Sequence, residues 1–210
     1  MNQATAYIVG AGEVCFTGFH PGPRDLVIAA DGGYDALDQA GIRPHLLLGD
    51  MDSIKALPMD IPRLRFPVKK DETDMALAIQ VAQQRGFRRF KLYGALGGRL
   101  DHTLANLQLL GSLARQGMQA RMVDRRAVFF AVSNGSLVLP PLRQGTTVSV
   151  FAWGGDAAGV TLKGLAFPLY NAQLKAFMPL GVSNVARGMP VRISVASGVL
   201  LVTVSLRNSA

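Results

Sequence analysis

The sequence predicts two fold classes in series: an α/β part over residues 1–125 and an all-β part over residues 126–210. Three observations carry this. Short apolar runs alternate with stretches of helical periodicity up to about residue 125. Beyond that point the helical period vanishes and strand-like runs follow one another. The charge changes at the same place: residues 1–125 hold thirteen of the fourteen acids, whereas residues 126–210 hold seven Lys/Arg and one acid.

Each element has its own local reason. Ala6-Tyr7-Ile8-Val9 and Leu26-Val27-Ile28-Ala29-Ala30 read as strands, the second ending at Asp31-Gly32-Gly33. Residues 34–40 form a short helix stopped by Gly41. His45-Leu46-Leu47-Leu48 is a strand of the buried type, ending at Gly49-Asp50, and residues 63–68 are a further candidate. Between 72 and 85, Met75, Ala78, Ile79 and Ala82 recur at helical spacing, and Gly86 follows as a stop. Phe90-Lys91-Leu92-Tyr93 is a strand. Residues 102–116 form a second long helix with Leu104, Leu107 and Gly111 on one face, and Gly117 after it. Strands alternating with helices predict a mostly parallel, helix-covered sheet of Rossmann-like type.

In the second part, residues 127–132 and 136–139 flank Ser133-Asn134-Gly135, which predicts a hairpin with an Asn-Gly turn. Residues 191–195 and 199–204 flank Ala196-Ser197-Gly198, predicting another. Residues 147–151 and 160–162 are strands between them. The regular spacing predicts an antiparallel β-sandwich with Trp153 in its core. No repeat and no low-complexity linker separates the parts.

Composition narrows the class. The 210 residues are 49% hydrophobic and 17% charged, which excludes intrinsic disorder. No apolar run approaches the roughly 18 residues of a membrane span. The first residues lack the basic start and apolar stretch of a signal peptide. Cys15 is the sole cysteine and is expected to be small and buried, so no intrachain disulfide and no cysteine zinc cluster forms. A cytoplasmic protein without a membrane partner is the simplest reading. The net charge of +8 fits nucleic acid, an anionic small substrate or plain solubility. Nucleic acid is disfavoured, because no basic run with interleaved aromatics is present and the acids cluster instead.

Three segments can carry chemistry. Gly49-Asp50-Met51-Asp52-Ser53 follows a buried strand directly, and ligands of open α/β sheets bind beyond the carboxyl ends of strands. In an extended segment Asp50 and Asp52 face the same way and can hold Mg²⁺, a hard cation that takes oxygen ligands. A turn with Asp and Ser bonding to local backbone is the alternative. Lys69-Lys70-Asp71-Glu72-Thr73-Asp74 opens the first long helix. Asp71 is a candidate N-cap, and acids in a first turn complement the helix dipole. That accounts for one acid rather than for the whole set of both signs, which suits metal and polyphosphate. Gly94-Ala95-Leu96-Gly97-Gly98-Arg99-Leu100-Asp101-His102 joins a strand to the second long helix. Its glycines allow close backbone approach, the helix amides favour anions and Arg99 adds a fork for phosphate. Asp101 is alternatively an N-cap and His102 an exposed first-turn residue. Gly10-Ala11-Gly12 is no dinucleotide fingerprint, because Cys15 stands at the third glycine position. His20 and His45 adjoin prolines and read as turn packing.

Taken in order, these motifs resemble those of the thiamine pyrophosphokinase family. They run from Asp31-Gly32-Gly33 through the three segments above to Asn106. The second part contributes Leu162-Lys163-Gly164-Leu165, Phe167-Pro168-Leu169 and Gly181-Val182-Ser183-Asn184. The likeness spans about residues 28–205. It implies ATP-dependent transfer of a diphosphate group to thiamine with AMP as leaving group, a need for Mg²⁺, and a homodimer with sites at the subunit interface. Matched motif by motif, it implies that Asp50, Asp52, Asp71 and Asp74 are the catalytic carboxylates, with Asp50, Asp52 and Asp71 on the metal. It implies nucleotide contacts from Asp31, Lys70, Thr73, Gly97, Gly98, Arg99, Asp101 and His102. Ser53, Asn106, Ser183 and Asn184 would address thiamine, the last two from the partner subunit. Two positions depart from the family pattern: Met51 stands where an aromatic is usual, and Val185 where bacterial members often carry Glu. Transfer to another small alcohol on the same scaffold is the competing reading within enzymes.

Overall fold

A computed structural model describes residues 4–51, 58–66 and 72–206. They form two compact units: residues 1–109 with 119–125, and residues 110–118 with 126–210. The first unit is built on six strands, β1 (Ala6–Val9), β2 (Leu26–Ala30), β3 (Leu46–Gly49), β4 (Arg63–Arg65), β5 (Arg89–Tyr93) and β6 (Gln119–Val123). They lie in the order β6-β5-β1-β2-β3-β4, and every neighbouring pair is parallel. All residues of β1, β2 and β3 are buried, which is why these segments read as unbroken apolar runs rather than alternating ones. β6, which the sequence reading leaves out, begins with Gln119-Ala120-Arg121, too polar to stand out as a strand.

Three helices connect these strands: α1 (Gly33–Gln39), α2 (Asp74–Gln84) and α3 (Leu100–Arg115). α2 buries Met75, Leu77, Ala78, Ile79 and Ala82, the expected stripe with Leu77 added, against β1, β2 and β3. Its N-cap is Thr73, whose Oγ1 accepts the Ala76 amide at 3.2 Å. That replaces the expectation for Asp71, which lies outside the described residues. α3 departs from its predicted face: Leu104 is exposed, and the buried positions are Asn106, Leu110, Gly111, Leu113 and Ala114. Gly111 makes room for Trp153, since a Cβ there would stand 2.9 Å from the indole Cδ1. Trp153 is therefore half-buried against this helix rather than a core residue among strands. Cys15 is likewise half-buried, not enclosed, with its Sγ 3.1 Å from Thr17 Oγ1.

The second unit holds β7 (Ala127–Pro141), β8 (Thr147–Ala152), β9 (Ala157–Lys163), β10 (Leu169–Leu174), β11 (Gly181–Val185) and β12 (Pro190–Ser205), all paired antiparallel. Neither predicted hairpin exists. β7 and β12 each run straight through the segment taken for a turn and pair with one another from end to end. The turn-like residues instead face each other: the register shifts between Val195 and Val199, Asn134 sits at φ 46°, and Gly198 N donates to Asn134 Oδ1 at 3.2 Å. Opposed bulges bend a strand pair without reversing it. Beyond the bend the pair serves two branches. The first half of β12 pairs with β9, and its second half with β8; β10 extends the former and β11 the latter. Val160, Leu162 and Ile193 of one branch and Val148, Val150 and Val202 of the other share one core. Among the described residues no helix is long and apolar enough to cross a membrane.

Candidate active site

Parallel strands deliver their following loops to one edge, so the sequence-predicted segments after β1, β2, β3 and β5 emerge together. Asp31 follows β2 in left-handed backbone at φ 49°, tied by its amide to Leu48 O at 2.7 Å. Gly49 ends β3 at φ 141°, and a Cβ there would lie 3.2 Å from Asp31 Cα. The absent side chain is what lets the end of β3 run so close to Asp31. Met51 is buried at φ 66°, a conformation disfavoured outside glycine. Two neighbouring non-glycine residues of this edge thus hold left-handed backbone, the kind of local strain that concentrates at functional sites.

The glycine-rich loop after β5 meets protein where sequence reasoning expected only a ligand. Gly12 N donates to Gly94 O at 2.9 Å, and Glu13 N to Leu96 O at 3.0 Å. A Cβ on Gly12 would fall 2.6 Å from both Gly94 O and Leu96 O, and one on Gly97 would fall 2.7 Å from Glu13 Cγ. Gly10, Gly12 and Glu13 are therefore part of this edge, although the sequence reading set the glycine pair aside. Its signal was two glycines directly after the first strand. Gly98, at φ 65°, has open space where a side chain would be. Asn106 is buried in α3, and its Nδ2 donates to Ala95 O at 2.7 Å, which ties the helix to the loop.

At the start of α3, Arg99 grips Asp101 with two nitrogens: Nη2 at 2.6 Å from Oδ2 and Nε at 3.2 Å from Oδ1. Asp101 Oδ1 also accepts the His102 amide at 2.9 Å. Asp101 lies inside the helix rather than at its cap. The Arg99 fork, helped by the His102 amide, holds the Asp101 carboxyl below the usual carboxylate range. The same hydrogen bond raises Arg99 further. Both side chains and His102 are exposed. Arg99 thus stands charged, solvent-facing and already shaped for a bidentate anion.

Asp74 lies in the first turn of α2, directly after the capping Thr73. Asp52, Ser53, Lys70 and Asp71 lie outside the described residues. Among the described residues no three Asp, Glu, His or Cys side chains converge on one metal position. In the second unit, Ser183 is exposed at φ 58° with its amide donating to Ser149 Oγ at 3.0 Å. Asn184 is buried: its Oδ1 accepts from the amides of Phe167 and Val185, each at 2.9 Å, and its Nδ2 donates to Phe167 O at 2.6 Å. Asn184 locks the loop before β10 to β11 and so fixes the posture of Ser183.

Known proteins match both units. Residues 23–122 match the family model described as thiamin pyrophosphokinase, catalytic domain, and residues 136–200 match thiamin pyrophosphokinase, vitamin B1 binding domain. The chain belongs to the thiamine pyrophosphokinase family. Thiamine pyrophosphokinase of Bacillus subtilis (strain 168) is 29% identical over 182 residues, covering 84% of this chain and 85% of its own. The crystal structure of the Bacillus subtilis enzyme superposes with a TM-score of 0.87 at 26% identity, covering 97% of this chain and 99% of that one. Thiamin pyrophosphokinase from Geobacillus thermodenitrificans does so with a TM-score of 0.83 at 30% identity, over 98% and 99% of the two chains. The mixed α/β sheet with few helices described above is shared with these thiamine pyrophosphokinase structures.

Proposed function

We propose that the carboxyl edge of the first unit carries out this family's reaction in the chain. The reaction is ATP-dependent transfer of a diphosphate group to thiamine, giving thiamine diphosphate. The observation that carries the reading is the meeting, at one sheet edge, of Asp31, Gly49-Asp50-Met51 and the 94–101 loop, within a chain that matches both family domains.

The thiamine hydroxyl attacks the β-phosphorus and AMP leaves. Phosphoryl-type transfers depend mainly on positioning and charge neutralisation. Arg99 exchanges Asp101 for polyphosphate oxygens, and the amides at the start of α3 favour the same anion. Gly97, Gly98, Asp31, Lys70, Asp101 and His102 complete the nucleotide side. Thr73 and Asn106 act through position, since the Thr73 hydroxyl caps α2 and the Asn106 amide holds the loop. Ser53, Ser183 and Asn184 address thiamine. One of Asp50, Asp52, Asp71 and Asp74 takes the hydroxyl proton, a role worth about 10²–10⁴-fold.

An all-oxygen donor set fits Mg²⁺, and Asp31 and Gly49-Asp50 stand at adjacent strand ends. Asp50, with Asp52 and Asp71, would hold the ion. Bound there, Mg²⁺ would neutralise charge on the polyphosphate.

In architectural terms the reading is a Rossmann-like catalytic domain over residues 1–125 and a β-sandwich that binds thiamine over 126–210. The all-parallel β6-β5-β1-β2-β3-β4 order and the two branches around one core support it. It includes a homodimer with shared sites. Support comes from the second unit, where Phe167, Tyr170, Phe177, Met178, Leu180 and Val182 are exposed apolar side chains close in sequence to Ser183. A cytoplasmic site of action suits a fold with one cysteine and no disulfide.

The acceptor is tested by AMP release from ATP and Mg²⁺ with thiamine against other small primary alcohols. Thiamine should be preferred by at least about a hundredfold in kcat/KM, as sites built around a specific partner achieve. Equal rates with unrelated alcohols would overturn the thiamine assignment.

A further inference from the structure

Strand register places Tyr7, Lys91 and Arg121 side by side on β1, β5 and β6, so all three leave the same face of the first unit's sheet. The segment after β1 walls this face. Phe19 packs edge-on against Tyr7 and Tyr93, with ring centroids 5.0 and 5.1 Å away, and Phe16 packs against Phe19. Lys91 Nζ donates to Tyr7 Oη at 2.8 Å and to Gly18 O at 3.2 Å, and it stands 4.5 Å from the Tyr7 ring centroid. Tyr7 in turn donates to His20 O at 2.9 Å. Both acceptors of the ammonium, a phenol oxygen and a backbone carbonyl, are neutral.

Arg121 is less satisfied still. Its Nε is buried and has no hydrogen-bond partner among the described residues. The acid of this face, Asp25, is held by backbone: Oδ1 accepts Thr5 N at 2.7 Å and Oδ2 accepts Gly22 N at 2.8 Å. Arg89 lies one pleat away on the same face. Burial, and then the charge of Arg121, hold the Lys91 ammonium below its ordinary value. Like charges side by side across strands oppose sheet formation, and a buried unpaired donor opposes folding. A structure that keeps both at once gains if an anion sits between them.

We propose that Lys91 and Arg121 form a binding site for a phosphate-type oxyanion on this sheet face, apart from the carboxyl edge. The guanidinium offers parallel N–H donors and the ammonium a compact charge, the pairing that suits tetrahedral oxyanions. The ligand is a free phosphate or the phosphate group of a nucleotide, and the two share the chemistry named here.

Titration calorimetry of the full chain with inorganic phosphate, against chloride at equal ionic strength, tests the site. The titrations use the Arg99→Ala background, which removes the polyphosphate fork at α3, and phosphate should still bind there. Arg121→Gln and Lys91→Met should each weaken it about tenfold or more, while Lys91→Arg retains it. Should Arg121→Gln fail to fold, the two Lys91 variants give the same comparison. A parallel titration with AMP in the same background separates the sources: an affinity above that for phosphate that falls with Lys91→Met assigns a nucleotide, and an AMP affinity that is no higher, or that Lys91→Met leaves unchanged, assigns the free ion. No phosphate binding beyond chloride, unchanged affinity in the Arg121 and Lys91 variants, or loss of binding in Arg99→Ala would each overturn the proposal.

Discussion

At the scale of single residues, charge and backbone geometry decide the outcome. Asp52→Asn keeps side-chain shape and removes the charge that the proposed metal site needs, so activity should nearly vanish while the chain stays folded. Turnover within about threefold of the parent at saturating Mg²⁺ would remove Asp52 from that role. Arg99 offers a planar fork that lysine does not reproduce. Arg99→Lys should raise the KM for ATP and leave that for thiamine nearly unchanged, and an equal loss for both would assign Arg99 to holding the start of α3. Tyr93 supplies a pH test. It is fully buried, and burial pushes its phenol up to about 12 from 10.0. Between those values the unfolded chain loses the proton while the native one keeps it, so stability falls as pH rises through this window. The loss amounts to roughly 2–3 kcal/mol by pH 12. Tyr93→Phe should flatten the alkaline limb of a stability-against-pH curve, and an unchanged limb would contradict this origin.

Among the elements, loops that meet backbone to backbone tolerate little. Gly12→Ala would drive a Cβ to 2.6 Å from two carbonyl oxygens of the 94–97 loop, neither of which is a flexible side-chain end. The expected result is a loss of about 2 kcal/mol or more together with reduced activity, and unchanged denaturant midpoint and turnover would show the loop free to move. Asn184→Ala would leave two amides and a carbonyl without their partner, a cost of about 1–3 kcal/mol for each that stays buried. The same elements mark how far the sequence could be read. β1, β2 and β3 are legible because buried parallel strands are unbroken apolar runs, β5 because Phe90, Leu92 and Tyr93 are buried, and α2 because it keeps one apolar stripe. β10 and β11 are not, because exposed Tyr170, Asn171, Val182 and Ser183 interrupt any alternation. Asn-Gly and Ser-Gly misled, since a turn signal and a bulge signal use the same residues and only the facing strand tells them apart. In the site, the order of the motifs was legible, whereas the loop-to-loop seat of Gly12 and the pairing of Arg99 with Asp101 are products of tertiary contact.

For the whole molecule, the proposed dimer makes a quantitative statement. If each site takes its acids from one chain and Ser183-Asn184 from the other, two inactive variants complement one another. After subunit exchange, Asp52→Asn mixed with a Ser183→Ala, Asn184→Ala double variant should recover roughly a quarter of parental activity, because half the dimers are mixed and each has one intact site. No recovery despite proven exchange would place both lesions in one chain's site. The reaction itself is most directly tested by following the phosphates. With thiamine, Mg²⁺ and ATP labelled at the β-phosphorus, the label should appear in thiamine diphosphate while unlabelled AMP forms in equal amount. Labelled ADP as the thiamine-dependent product, or label that never reaches thiamine, would contradict diphosphate transfer by this chain.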